Sequence, residues 1–379
     1  MKIVVALDKF KGSLTAPAAC EIVRRTLCEV QPGAEIIVKP MADGGDGTAD
    51  ALQAALGGEW ISQEVSGPFP GLLCSARYLW LASERSAFIE MAQASGLVLL
   101  QPVQRNPLVT HTHGTGELVS RAILRGAKKI YLAIGGSATN DGGVGAAMAF
   151  GWRFLDAAGS PVNLGGGELE RIATIVAPDA DPEINQDLLM DDAEVEVLCD
   201  VDNPLCGEHG AARVFGPQKG ATPEMVERLD NGLRHLAAVV KAQLGKDILD
   251  VPGAGAAGGL GGGAIAFLNA RLVPGIETVM AASRLAADIA GADWVITGEG
   301  QFDEQSLHGK VVAGVTALAQ KHDVKVAVLA GRVKLAESAW RRAGIAIAQA
   351  IAPATLDTPR AIQQAPELLA AAVRKLSLL

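Results

Sequence analysis

At 379 residues the chain exceeds what one hydrophobic core usually organises, so two domains are expected. Hydrophobic residues make up 49% and aromatics 4%, with 44 glycines spread through Ala/Val/Leu-rich stretches, the texture of a glycine-rich α/β enzyme rather than a low-complexity chain. The 33 basic and 42 acidic side chains leave a formal charge of -9, which argues against a broad nucleic-acid or anionic-membrane surface and requires a local positive site for any anionic substrate.

In chain order, residues 2–7 form a β-branched apolar run, followed by the polar loop Asp8-Lys9-Phe10-Lys11-Gly12-Ser13 and a helical pattern over 16–30. A second apolar run, 35–38, leads past Pro40 into Ala42-Asp43-Gly44-Gly45-Asp46-Gly47-Thr48 and another helix. The far end returns to this rhythm with apolar runs at 293–297, 325–330 and 345–351. Five strands alternating with helices predict one doubly wound parallel sheet built from residues 1–60 and 291–379. Residues 61–290 then form an inserted second α/β domain, with strands expected at 78–81, 87–89, 129–134 and 195–199. The last segment, from Thr358-Pro359 with Ile362, Leu369, Val373 and Leu376 at helical spacing, predicts a packing helix without chemistry. Five cysteines, Cys20, Cys28, Cys74, Cys199 and Cys206, lack C-x-x-C spacing and predict reduced thiols. The start lacks a signal-peptide pattern and no uncharged apolar run reaches membrane-spanning length, so a soluble cytoplasmic chain is expected.

The densest chemical signal is Gly135-Gly136-Ser137-Ala138-Thr139-Asn140-Asp141-Gly142-Gly143, between an apolar strand and a helix start. Glycines let backbone N–H groups converge and the helix adds its positive end, which together suit a phosphate. A plain capped turn would need one or two glycines rather than four. The first loop offers Asp8, Lys9, Lys11 and Ser13 at the carboxyl end of a strand, where doubly wound sheets bind ligands. Lys11 is placed to clamp a carboxylate or phosphate there, and Ser13 reads equally as a helix cap. The second loop brings Asp43, Gly44, Gly45 and Asp46 to the same edge, to hold magnesium, orient a hydroxyl or simply turn the chain. A third segment, Thr297-Gly298-Glu299-Gly300-Gln301-Phe302-Asp303-Glu304-Gln305-Ser306-Leu307-His308-Gly309-Lys310, is expected as a long loop rich in carboxylates and amides.

In the middle domain Asp200-Val201-Asp202-Asn203-Pro204 follows a strand, so Asp200 is a candidate general base, with a turn-forming Asp as the competing reading. Lys219, in Gln218-Lys219-Gly220, neutralises a transferred phosphoryl group or caps a helix. Gly253-Ala254-Gly255-Ala256-Ala257-Gly258 matches G-x-G-x-x-G but follows no clear strand, and reads as a close-packed loop. No P-loop, protein-kinase signature or G-x-S-x-G elbow is present, and the single pair His111/His113 is weak as a metal site.

Together with Glu90-Met91-Ala92, Ala94-Ser95-Gly96-Leu97, Arg105-Asn106-Pro107-Leu108 and Gly114-Thr115-Gly116-Glu117-Leu118, these phrases resemble the type I glycerate kinase family over nearly the whole chain. At Lys9 the sequence departs from the Ser of many relatives. The resemblance implies a flavodoxin-like domain from both chain ends and an inserted restriction-endonuclease-like domain. It also implies transfer of the ATP γ-phosphoryl group to D-glycerate, giving 2-phosphoglycerate, in the cleft between the domains. Phosphoryl transfer needs aligned groups and neutralised charge. That assigns Lys11 or Lys310 to charge neutralisation, Asp43 or Asp303 to Mg²⁺, and Asp200 to the hydroxyl proton, with Asp200, Lys11, Asp43 and Lys310 as the catalytic set. Asp8, Ser13, Gly44, Gly45, Gly135, Gly136, Ser137, Thr139, Asn140, Asp141, Asn203, Lys219, Gly298, Glu299, Gln305 and Ser306 are assigned to substrate and phosphate binding. The competing readings are a kinase for another small hydroxy acid, or one forming 3-phosphoglycerate, and a non-catalytic sugar-acid sensor. Assembly into a homo-oligomer is left open.

Overall fold

The computed structural model describes residues 1–178, 193–307 and 310–378. Among these the strands, in chain order, are β1 (Lys2–Leu7), β2 (Glu35–Val38), β3 (Glu59–Ser66), β4 (Leu73–Leu81), β5 (Ser86–Glu90), β6 (Lys129–Ala133), β7 (Arg153–Leu155), β8 (Thr174–Val176), β9 (Glu194–Leu198), β10 (Arg271–Val273), β11 (Trp294–Phe302), β12 (Lys325–Val333) and β13 (Ile347–Ala350). The chain divides into two compact units, Met1–Gly57 with Pro274–Leu379, and Gly58–Val273. The helices Gly275–Ala282 and Leu285–Ile289, which the sequence reading assigned to the inserted range, thus group with the terminal unit.

The terminal unit is an α/β layer structure around a five-stranded sheet ordered β13-β12-β11-β1-β2. Every neighbouring pair is parallel. Counted within the unit this is the 2-1-3-4-5 order of flavodoxin-like sheets, in which the strand order reverses between β1 and β11. Strands covered by helices on both faces read as continuous apolar runs, which explains the unbroken Ile3-Val4-Val5-Ala6-Leu7, all buried. The helix Ala16–Val30 packs Cys20, Val23 and Leu27 against Ile3, Val5 and Leu7. Its start is set by Thr15, whose hydroxyl accepts from Ala18 N at 3.3 Å, and by Pro17 in the first turn. Ser13 is not that cap: its hydroxyl donates to Phe10 O at 2.9 Å and closes a turn instead.

Two expectations need correction here. Residues 297–302 are not loop: β11 continues through Phe302, with Gly298 opposite Leu329 and Glu299 opposite Ala330 on β12. The Gly-Glu-Gly composition hid the strand because glycine carries no β propensity, yet Gly298 is needed where a Cβ would lie 1.7 Å from Leu329 O. The C-terminal segment is two helices, Thr358–Gln363 and Ala365–Arg374, because Pro366 cannot sit in a helix interior and starts a new one. Leu369 and Val373 are buried, while Ile362 is exposed.

The second unit holds a six-stranded mixed sheet ordered β10-β9-β6-β5-β4-β3 and a small ribbon of β7 and β8. β3, β4 and β5 form an antiparallel meander, and β5, β6, β9 and β10 run parallel. The parallel stretch is the part that matters for chemistry. Glu90, Ala133 and Leu198 are in register at the carboxyl ends of β5, β6 and β9, so the chain leaves all three strands at one edge.

Candidate active site

In the terminal unit, β1 and β11 end side by side at the reversal of strand order, and Asp8 N donates to Gly298 O at 2.9 Å. Ligands bind at such switch points. Asp8, buried, meets the electrostatic influence of Asp43 and Glu299 there. Burial, then the Asp43 carboxylate, raises its pKa to about 7, against the lowering effect of the Lys9 N–H donated to Oδ1 at 2.6 Å and of the Lys9 charge. Glu299 is also held above the ordinary carboxylate range, chiefly by burial, with Asp303 and Asp43 adding to it and Ser306 and Lys310 opposing. Its Oε1 is buried with no hydrogen-bond partner among the described residues. The sheet edge therefore concentrates three carboxylates that repel one another.

The other predicted residues of this unit divide by exposure and by their partners. Asp43 is half-buried and accepts Gly45 N at 3.2 Å, in a turn where Gly44 and Gly47 take φ of 87° and 90°. Gly275 braces that turn, because a Cβ there would lie 2.2 Å from Asp43 O. The sequence offered no local signal for this. Lys11 is exposed, and Lys9 bonds to Asp46 O. Asp303 anchors a turn: Gln301 Nε2 donates to Oδ2 at 2.6 Å and Gln305 N to Oδ1 at 3.0 Å, and these bonds hold its carboxyl below the usual range. Ser306 is buried, taking Asp303 N at 3.0 Å. Lys310 Nζ reaches the exposed Gln305 at 3.4 Å. His308 and Gly309 lie outside the described residues.

In the second unit the segment 135–143 leaves β6 and enters the helix Val144–Ala149. Gly135 and Asp200 each follow by two residues a paired strand end, Ala133 and Leu198, at the same edge of the sheet. Asp200 is exposed. Asn203 is engaged in its own loop, donating to His209 O at 2.8 Å. Along the glycine loop exposure falls steeply: Gly136 is open, Ser137 is 7% exposed, and Thr139, Asn140 and Asp141 are wholly buried. Among the described residues Thr139 Oγ1 and both polar side-chain atoms of Asn140 have no hydrogen-bond partner.

Asp141, assigned to substrate binding from the sequence, is instead a saturated internal anchor. It accepts Thr112 N at 2.8 Å, Thr112 Oγ1 at 2.9 Å, Gly145 N at 3.2 Å and Gly143 N at 3.3 Å. The same Asp-Gly-Gly tripeptide at residue 43 has one such bond and is half-buried, so equal motifs carry different work. Asp141→Asn is expected to lower stability by on the order of 3 kcal/mol, since an amide NH₂ would face donors, and thermal melting reads this directly. An unchanged melting temperature would remove the anchoring role.

Behind the loop lies Lys219, 2% exposed, whose Nζ donates to Ser137 Oγ at 2.8 Å and Thr139 O at 2.7 Å. Burial pushes its pKa down to about 7, with Asp141 opposing. The glycine-rich segment 253–259 does not stand as a dinucleotide motif: Gly258, at φ 71°, packs its Cα against the loop, and its carbonyl accepts Gly142 N at 3.0 Å. Thr112 and Gly258 are the functional-loop supports that sequence reasoning missed. The first was hidden between two more conspicuous histidines, and His111 itself is buried and kept below its ordinary pKa by that burial.

A strand-end cluster of acids beside lysines, and a glycine loop backed by a buried lysine, are parts that an enzyme handling phosphorylated small molecules requires. The model of the glycerate kinase family matches residues 3–379. A glycerate kinase from Halalkalibacterium halodurans is 44% identical over 375 residues, covering 99% of this chain and 97% of that protein. A glycerate 2-kinase from Escherichia coli K12 is 45% identical over 331 residues, 87% of this chain and 85% of that one. A solved structure from Salmonella typhimurium LT2, assigned as glycerate kinase 2, superposes with a TM-score of 0.86 at 42% identity, covering 99% of this chain and 96% of that one. The protein is an enzyme of the kinase class, which sets the non-catalytic sensor aside. It belongs to the glycerate kinase family. No helix among the described residues is long and apolar enough to cross a membrane.

Proposed function

We propose that this kinase transfers the γ-phosphoryl group of ATP to D-glycerate and forms 2-phospho-D-glycerate. The observation that carries the reading is the nearly full-length relation to proteins named glycerate kinase and glycerate 2-kinase. The geometry supports it at two places. Gly135 and Gly136 form the accessible end of a loop suited to phosphate oxygens, with the buried Ser137 next in the chain. Asp200, exposed at the neighbouring strand end, takes the acceptor hydroxyl proton, and Lys11 and Lys310 neutralise charge on the anionic groups.

Magnesium fits the acid cluster of the terminal unit by donor chemistry. Asp8, Asp43 and Glu299 are hard oxygen donors, the Asp43 charge adds to the raised proton affinity of Asp8 and Glu299, and among the described residues Glu299 Oε1 is buried without a hydrogen-bond partner. Among the described residues no group of three or more His, Cys, Asp or Glu is placed to hold a metal ion by itself, so an ion here would need its remaining ligands from phosphate or water. Mg²⁺, if bound there, would supply neutralisation of phosphate charge. Asp43 is the better candidate to hold it, since both Asp303 oxygens already accept hydrogen bonds in the turn.

The test is ATP turnover with D-glycerate and Mg²⁺, with the product position assigned by phosphorus NMR. A 2-phosphoglycerate signal is expected. A 3-phosphoglycerate signal would move the acceptor hydroxyl, and turnover only with a different hydroxy acid would replace the substrate.

A further inference from the structure

Lys219 raises a question that the proposed function leaves open, because a side chain 2% exposed does not reach out to a transferred phosphoryl group. Its position is fixed from the backbone outward. It ends the turn Pro217–Lys219, and Gly220 follows at φ 92° with its Cα pressed so closely on Arg105 that a Cβ would lie 2.3 Å from the Arg105 carbonyl oxygen. From there Nζ donates, among the described residues, to Thr139 O and Ser137 Oγ. A carbonyl oxygen only accepts, so one N–H points at Thr139 in either charge state. The contact with Ser137 is different, because a hydroxyl both donates and accepts.

We propose that Lys219 is a positioning residue that sets the direction of the Ser137 hydroxyl, so that the glycine loop receives an anion only when Lys219 carries its proton. This rests on the loop being the anion site. A neutral amine that keeps one N–H on Thr139 O has a lone pair open to the Ser137 hydrogen, and in that arrangement the hydroxyl oxygen turns its own lone pairs toward the incoming anion. An ammonium has no lone pair. It donates to Oγ, and the Ser137 hydrogen is released to donate to a phosphate oxygen.

The charged surroundings favour such a coupling. Burial holds Lys219 near neutrality, and the carboxylate that opposes burial is Asp141, already accepting four hydrogen bonds. His111, which feels the Asp141 charge, is held below its ordinary pKa by burial, and the Arg105 backbone lies against Gly220. An arriving phosphate supplies negative charge on the open side of Ser137 and raises the proton affinity of the amine.

Titration calorimetry of the whole protein with MgATP, at about pH 8 in two buffers of different ionisation enthalpy, tests this. Uptake of roughly one proton per ATP is expected, with Kd weakening by up to about tenfold per pH unit between about pH 8 and 10. Lys219→Arg, permanently charged, is expected to bind without uptake and with a flat Kd over that range. Wild-type binding without proton uptake, or uptake that persists in a folded Lys219→Arg protein, overturns the proposal. Ser137→Ala separates the two layers and decides alone if the arginine variant does not fold. Unchanged ATP affinity and kcat in Ser137→Ala would mean that the loop is not the anion site. Weakened affinity in that variant, beside a wild type that takes up no proton, would keep the loop and discard the role of Lys219. Loss of both affinity and pH dependence supports it.

Discussion

Asp8→Asn is expected to lower kcat by about a hundredfold or more while raising the melting temperature by several degrees at about pH 8. The activity loss follows from position: Asp8 ends β1 at the reversal of strand order, beside Asp43 and Glu299. The stability gain follows from electrostatics. A buried carboxylate with a folded pKa of about 7 against an ordinary 3.8 holds a proton in the folded chain that the unfolded chain has already released between those values. Stability therefore falls as pH rises through that window, and the full penalty is present above it. The amide removes the charge and hence the penalty, so the gain should shrink as pH falls through that window and be absent below about pH 3, where the carboxyl is protonated in the folded and unfolded chain alike. Mg²⁺ should raise the wild-type melting temperature at about pH 8 more than that of the variant, because it neutralises the same repulsion. Equal melting of the two proteins at about pH 8 would remove the repelling cluster from the account, and full activity in the variant would remove β1 from the reaction.

Opposite signs for activity and stability are what a site under functional strain predicts, and they separate Asp8 from Asp141. Both are buried aspartates after a strand. Asp141 has four donors around it and its loss only destabilises, while Asp8 has one backbone donor and two acidic neighbours.

This contrast marks how far the sequence could be read. The parallel sheet was legible because β1, β2, β12 and β13 are apolar runs separated by helical periods, and hydrophobic periodicity is local information. β11 was cut short because Gly298, Glu299 and Gly300 lack strand composition, and what keeps them extended is pairing with β12, a contact of high sequence separation. The loops were legible as glycine and acid clusters. Their internal division was not, since whether Asp141 or Asp43 faces solvent depends on Thr112 and Gly275, residues far away in the chain. The same holds for Lys219, which meets Ser137 across 82 residues.

Gly258→Ala is the second change expected to have a large effect, and it tests whether the 253–259 segment works as a brace for the glycine loop. At φ 71° an alanine is strained, and its Cβ would lie 1.9 Å from Thr139 O and 2.6 Å from Asn140 Cα, so backbone must move. Gly245 supplies the control, because it has φ 70° with nothing within 4 Å of a Cβ. Gly245→Ala is expected to cost about 1 kcal/mol from backbone strain alone. Gly258→Ala adds displacement of the Thr139–Asn140 backbone and is expected to lose more than about 3 kcal/mol. Because Thr139 O also receives the Lys219 amine, the displacement should reach Ser137 and lower kcat, an effect that Gly245→Ala should not share. Equal losses in the two variants, read by melting and by kcat, would mean that the segment yields freely and that the loop is held without it.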